Sequence, residues 1–277
     1  MEEEAIPVLI LLAAIVLVAI VLILFFATIF TFFEFVYGRL FYKPFFVHWY
    51  RSLKTLPNKK FEILFNEVPY YRKLRPRKRS YFEHRVASFI ERYEFIGKEG
   101  FEVDERAKVL IAATYVQLTF GMRLYLYPVF DKVIVFPSIY YSNISEAYHK
   151  GEFNPMLKAV VFSWEDFQQG LHYNNDNLNL GLHEFAHVLN FQGLRSEDAS
   201  SLIFARFFNQ IRMECNHGPN REKLMNSGYF REYAYTNDFE FIAVVLEHFF
   251  ETPKEFKTEF PELYYLVKRM INYKEAA

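Results

Sequence analysis

The chain has 277 residues, room for one large domain or two small ones, and its net charge of −1 gives no global push toward nucleic acid. Its single cysteine, Cys215, excludes an internal disulfide and a zinc–thiolate knuckle, and fits a reducing compartment. Aromatic residues make up 20% of the sequence, and many of them lie between Phe25 and Tyr50.

From Ala5 to Phe33 there is no charged residue, and Pro7 is the only helix breaker. About 20 apolar residues at ~1.5 Å each cross a ~30 Å hydrocarbon core, so this run predicts one N-terminal transmembrane helix with residues to spare. A cleaved signal peptide would need a basic start and a small-residue cleavage site. The chain instead begins Met1-Glu2-Glu3-Glu4, and bulky Phe32-Phe33 precede Glu34. Residues 34–60 carry six basic residues against one acid, which predicts a single pass with the N-terminus outside and the remainder in the cytoplasm. Residues 35–80 form a basic, aromatic juxtamembrane segment. Phe41, Tyr42, Phe45, Phe46, Trp49 and Tyr50 favour the headgroup level, so the segment is expected along the inner surface. Residues 72–79 hold six positive charges, expected as a solvated turn around Pro76 or as a contact with anionic lipid. No nucleic-acid-binding motif accompanies them, and none is expected as a partner.

The domain then expected spans 81–277. Tyr81–Tyr93 reads as a helix and Gly97 and Gly100 break the pattern; Glu105–Phe120 is a second helix stopped by Gly121. Leu124–Pro128 and Lys132–Pro137, with Asp131 near the turn, suggest a β-hairpin, and Ala159–Trp164 a further strand. Gly170–Asn179 is expected as a polar loop. This loop and the stretch from Leu194 to Phe230 are expected to flank the cleft.

The loop ends at His183-Glu184-Phe185-Ala186-His187, an H-E-x-x-H motif. On a helix, residues four apart share one face, so His183 and His187 can aim at one Zn2+, and Glu184 can reach a water held there as general base. A metzincin continuation would need Gly at 190 and His at 193, but Asn190 and Gly193 stand there. An intramembrane protease would carry the motif within a second apolar span. Here the upstream residues are Asn-rich, and Arg195, Glu197 and Asp198 follow. A third ligand must come from elsewhere. Glu240 and Glu247 interrupt an apolar helix ended by Pro253, seven residues apart and so on one face. Asn237 and Glu240 also stand at capping-box spacing, so spacing leaves Glu240 open between cap and ligand. Glu247, two turns on, is its rival, and His217 in a polar loop is another possibility.

HEFAH, preceded by Trp164, Gly170 and Asn179, is followed by Tyr233-Ala-x-Thr-Asn-x-x-Glu240-Phe-x-Ala-Val-x-x-Glu247-x-Phe-Phe-x-x-Pro. This pattern resembles the Mlc titration factor A family of zinc peptidases, whose core is similar to the protease domain of anthrax lethal factor. The resemblance runs from about Pro69 to about Tyr273. It implies an α+β, zincin-like metallopeptidase domain, mainly helical with a small sheet, and a peptide or protein substrate. It also implies that Glu240 is the third ligand and that Tyr233 lies at the active site. Glu247 then orients a ligand histidine, and Asn179 does similar work or caps the helix. The chain departs from the family at Asn190, where Asp is usual, and in carrying the span at 5–33. A second function class stays open: a membrane-tethered protein that sequesters a cytosolic regulatory protein, with a structural or vestigial zinc site.

Overall fold

The computed structural model describes residues 2–142, 146–173, 175–216 and 218–274. The chain opens with α1 (Glu2–Phe41), α2 (Asn58–Glu67), α3 (Pro69–Lys73), α4 (Pro76–Arg92), β1 (Glu94–Gly97) and α5 (Glu105–Thr119). Next come β2 (Lys132–Phe136), β3 (Tyr140–Ser142), β4 (Ala147–His149), β5 (Gly151–Asn154), β6 (Ala159–Ser163) and α6 (Trp164–His172). The last part holds α7 (Leu180–Gly193), α8 (Ala199–Asn216), α9 (Gly218–Asn226), a 3-10 turn (Glu232–Tyr235), α10 (Asp238–Glu251), α11 (Pro253–Glu259) and α12 (Pro261–Met270). The protein is mainly helical with a small sheet, as expected.

The span from Leu9 to Phe41 is long and apolar enough to cross a membrane, and its side chains find almost no cover within the molecule. Thr28 and Thr31 donate their hydroxyls to the carbonyls of Leu24 and Ala27 one turn back, which satisfies the polar side chains between Leu9 and Phe33. The helix continues past the apolar run to Phe41, and its last turns pack on α8.

Pro76 does not sit in a turn. It occupies the first turn of α4, where its fixed φ suits a helix start and its missing N–H is not needed. The basic stretch 72–79 therefore spans the end of α3 and the beginning of α4. Leu64, Val68, Tyr71 and Leu74 belong to the same buried cluster as α4 and α5, so the chain is already packing into the domain before residue 81.

The hairpin expected at 124–137 is absent. Residues 124–128 form no strand, and β2 has parallel neighbours on both sides, pairing Lys132 with Glu94 of β1 and with Ala159 of β6. Met122, Tyr127 and Phe130 turn into the core instead. The sheet order is β1-β2-β6-β5; β5 runs antiparallel to β6 and forms an edge, while β3 and β4 pair separately. β1 ends on Gly97, the residue read as a breaker. A Cβ there would lie 1.7 Å from the Phe101 carbonyl oxygen, so the chain's return after the strand requires glycine.

α6 starts on Ser163, whose hydroxyl accepts from the Asp166 N–H, and runs through Gly170 to His172. The loop before α7 is shorter than expected for that reason. Gly170 allows the chain to return against it, since a Cβ would stand 3.0 Å from the Asn179 Cα. α7 is buried along most of its length, enclosed by α5, α6, α8, α10 and the β5–β6 side of the sheet.

Candidate metal centre

Asn179 begins α7 by accepting from the Leu182 N–H at 3.0 Å, which fixes where the helix starts and so which way His183 faces. His183 and His187 stand one turn apart with ring centres separated by 4.8 Å. α10 lies alongside, and Glu240 in its first turn reaches both. Its Oε2 is 3.0 Å from His183 Nε2 and its Oε1 is 3.5 Å from His187 Nε2. The capping function at this helix start belongs to Asn237, whose Oδ1 accepts from the N–H groups of Phe239 and Glu240. The Glu240 carboxylate is thereby free to face the histidines.

One ligand atom from each of His183, His187 and Glu240 lies within 4.8 Å of the other two. Three tetrahedral ligands at zinc's ~2.0–2.1 Å bond length sit roughly 3.3 Å apart, so a small contraction brings the three onto one ion. Two imidazoles and a carboxylate are also a donor set that zinc accepts. Without an ion, burial by itself would lower the His183 pKa, but hydrogen bonds from both ring nitrogens to Glu240 and Glu247 raise it to about 10. Burial works against ionised Glu240 as well, and its bonds to the two histidines overcome that and hold it well below the usual carboxylate range. The cluster is a carboxylate facing two imidazoles, with the proton of His183 held where a cation fits.

Glu247, expected one step further out, is fully buried. Its Oε1 lies 2.7 Å from His183 Nδ1, and its Oε2 accepts from the Asn179 N–H at 3.1 Å. Arg231 completes this group, donating to the two oxygens of Glu247 at 2.7 and 3.0 Å and to the Asn177 carbonyl at 2.6 Å. Nothing in the sequence pointed to Arg231: it lies outside both motifs and is brought in by the turn preceding the 3-10 segment. Asn179 also donates its side-chain amide to Gly170 O and to Glu251 Oε1, so it ties α6, α7 and α10 together.

Glu184 is buried, which raises its pKa, and it accepts a hydrogen bond from the Phe153 backbone in edge strand β5. A Cβ on Gly151 in the same strand would fall 2.8 Å from Glu184 Cγ, so glycine leaves the carboxylate its room. Tyr233 sits on the 3-10 turn, half exposed, with its ring centre 6.0 Å from that of His183. Burial, then the charge of and hydrogen bond to Glu240, raise its phenol to about 12. A cleft of about 370 Å³ opens over His183, Glu184 and Tyr233, walled by β4, the start of β5 and the loop before α7. The stretch from Leu194 to Phe230, expected to flank this cleft, packs as α8 and α9 elsewhere; Arg231, just beyond it, is the residue that enters. His217 lies outside the described residues.

Residues 47–272 match the family of glucose-regulated metallo-peptidases designated M90. The chain belongs to this family. It is the family of Mlc titration factor A, and it carries the metallopeptidase character, the implied metal and the peptide or protein substrates at family level. A relative from Synechocystis sp., the uncharacterized protein slr2042, is 24% identical over 75% of this chain and 81% of its own length.

Proposed function

We propose that the protein is a membrane-anchored zinc metallopeptidase, with α1 crossing the bilayer, its N-terminus outside and the peptidase domain in the cytoplasm. The observation that carries the reading is Glu184. A buried carboxylate stands beside a two-histidine, one-glutamate cluster and opens on a cleft, which is what a hydrolytic site needs and a purely structural metal site does not.

His183, His187 and Glu240 would hold the zinc. When bound, the ion supplies Lewis acidity to a water and to the scissile carbonyl. Glu184 takes the proton of the attacking water and returns it to the leaving amine; its raised pKa makes it a better base than an ordinary carboxylate. Glu247 accepts the Nδ1 proton of His183 and so keeps Nε2 available as the ligand atom. Arg231 pins Glu247 in that position through two hydrogen bonds. The Tyr233 phenol stays protonated at neutral pH and donates a hydrogen bond to the developing oxyanion.

The test uses the full chain in lipid nanodiscs. Glu184→Gln is expected to retain zinc while peptide hydrolysis falls by about 10²–10⁴-fold, the usual share of a general base. Glu240→Ala is expected to lose the metal. If the wild type holds zinc yet cleaves nothing in a broad peptide library, and Glu184→Gln captures the same protein partner, sequestration of a cytosolic regulator replaces catalysis as the function.

A further inference from the structure

The chain leaves the anchor by turning back on it. After Phe41 it reverses, and the Phe46 and Trp49 rings come to rest against Phe30, at centroid distances of 5.6 and 5.8 Å. Phe45 packs edge-on to Tyr37 at 5.0 Å. Phe30 lies four residues before Glu34, one turn or about 6 Å up the helix, within the last part of the apolar run. Residues 42–49 therefore form an aromatic collar level with the end of the span. Phe45 and Trp49 remain exposed, at 58% and 63%, and so do the cations Arg39, Lys43 and Arg51 beside them.

The collar is also bolted to the domain. Arg85, with no exposed surface, donates to the Tyr50 hydroxyl at 2.6 Å and to Val47 O at 3.3 Å. Its other donors go to the carbonyls of Thr119, the last residue of α5, and Met122 just beyond it. Arg123 lies over the Phe46 ring at 4.3 Å and 3.4 Å from the Glu34 carboxylate. Arg206 of α8 covers the Tyr42 ring at 3.6 Å, and a Cβ on Gly38 would stand 3.6 Å from the Ala199 Cβ, so α1 runs close to the start of α8 there. A flexible tether would have none of these contacts.

We infer that residues 42–49 are a second membrane-binding element, which inserts Phe45 and Trp49 into the headgroup layer and fixes the peptidase domain against the bilayer. The inference rests on α1 being a membrane anchor. Its physical basis is that exposed aromatic rings at the end of a span, interleaved with cations, match the interfacial layer, with apolar acyl chains below and anionic phosphates above. The domain then has a fixed height over the membrane instead of a free radius around a tether, and its cleft is presented to polypeptide at the same surface.

The two tryptophans allow a direct test, because Trp164 is packed against Phe101 and Phe167 in the domain, away from the anchor. The full chain carrying Trp164→Phe is reconstituted in vesicles whose lipids bear bromine either near the carbonyl end or near the tail of the acyl chains. Trp49 emission is expected to be blue-shifted and mostly quenched by the shallow bromine, with little effect of the deep one. In the chain that keeps Trp164, Trp49→Phe is expected to remove the quenchable component, which covers the case in which Trp164→Phe folds poorly. A chain that resists alkaline carbonate extraction while Trp49 emits as a water-exposed indole, unquenched by either lipid, overturns the collar and leaves the anchor standing. Release of the chain by carbonate overturns the anchor itself, and the collar with it.

Discussion

α1 and α10 are both apolar helices, and they put that character to opposite uses. α1 displays Leu, Ile, Val and Phe on every side from Leu9 to Phe33, with no packing partner along most of its length. α10 buries Phe241 to Phe249 almost completely and keeps its later carboxylates, Glu240, Glu247 and Glu251, along one stripe. Each acid of that stripe meets donors placed by another element: the histidines of α7 for Glu240, Arg231 for Glu247, and the Asn177 and Asn179 amides for Glu251. Hydrophobic content does not separate a span from a core helix here. The placement of charge does, because a carboxylate survives among apolar neighbours only where a partner awaits it.

The same substitution in the two helices should sharpen this contrast most. Val245→Lys puts an unpaired cation at a position with no exposed surface, and a loss above about 4 kcal/mol is expected, most of the stability of a domain at the low end of the ordinary range of about 5–15 kcal/mol. Circular dichroism and zinc retention would read it. Val18→Lys, near the middle of the exposed run, is expected to weaken membrane insertion by about 2.5–3.5 kcal/mol, while the domain's unfolding midpoint and zinc content stay as they were. Equal damage to the domain from both changes would break the distinction.

Between these two effects falls Glu247→Ala. It removes the buried acceptor shared by His183, Arg231 and the Asn179 N–H, leaving a half-buried guanidinium and a buried imidazole without their carboxylate. Breaking a fully buried pair by deleting one partner costs about 3–5 kcal/mol, so with Arg231 partly open to solvent a loss of about 3 kcal/mol is expected, and loss of a histidine's supporting acceptor lowers metal affinity by about 10–100-fold. Denaturant unfolding and competitive zinc titration measure the two separately. A variant with unchanged zinc affinity would mean that Glu247 serves the fold alone.

What the sequence disclosed follows the range of the interactions involved. His183, Glu184 and His187 were legible because one helix turn sets their geometry, and the α1 span because length and composition suffice for it. Glu240 was ambiguous on spacing, since a cap and a ligand ask for the same residue type at the same place; in the structure Asn237 accepts the capping bonds and the Glu240 carboxylate faces His183 and His187. The sheet was misread where its pairing is non-local. Lys132 bonds to strands far away on either side of it in the chain, and a local pattern of β-branched residues with Asp131 nearby looks the same for a hairpin as for the middle of a parallel sheet. Arg231, Gly151 and Phe153 had no local signature, because each acts on α7 or α10 from another element.

Glu251 carries the smallest of the expected effects and tests the end of the α10 stripe. Burial raises its pKa from the ordinary 4.5 to about 7, although the Asn179 amide and the Asn177 N–H, donating at 3.0 and 2.8 Å, favour the ionised form. A carboxyl whose folded pKa lies above its unfolded value makes the native state the better proton binder between those two values. Its contribution to stability is therefore fully present below about pH 4.5 and is lost as pH rises through about 7. Relative to Glu251→Gln, which cannot ionise, the wild type should lose of the order of 1–2 kcal/mol across that window once solvent screening is allowed for. Urea unfolding of both chains at a series of pH values gives the difference directly. A difference that is flat with pH would mean that the two amide donors hold Glu251 ionised throughout. In that case α10 supports a third paired anion, and its stripe is still more unlike the uncharged run of α1.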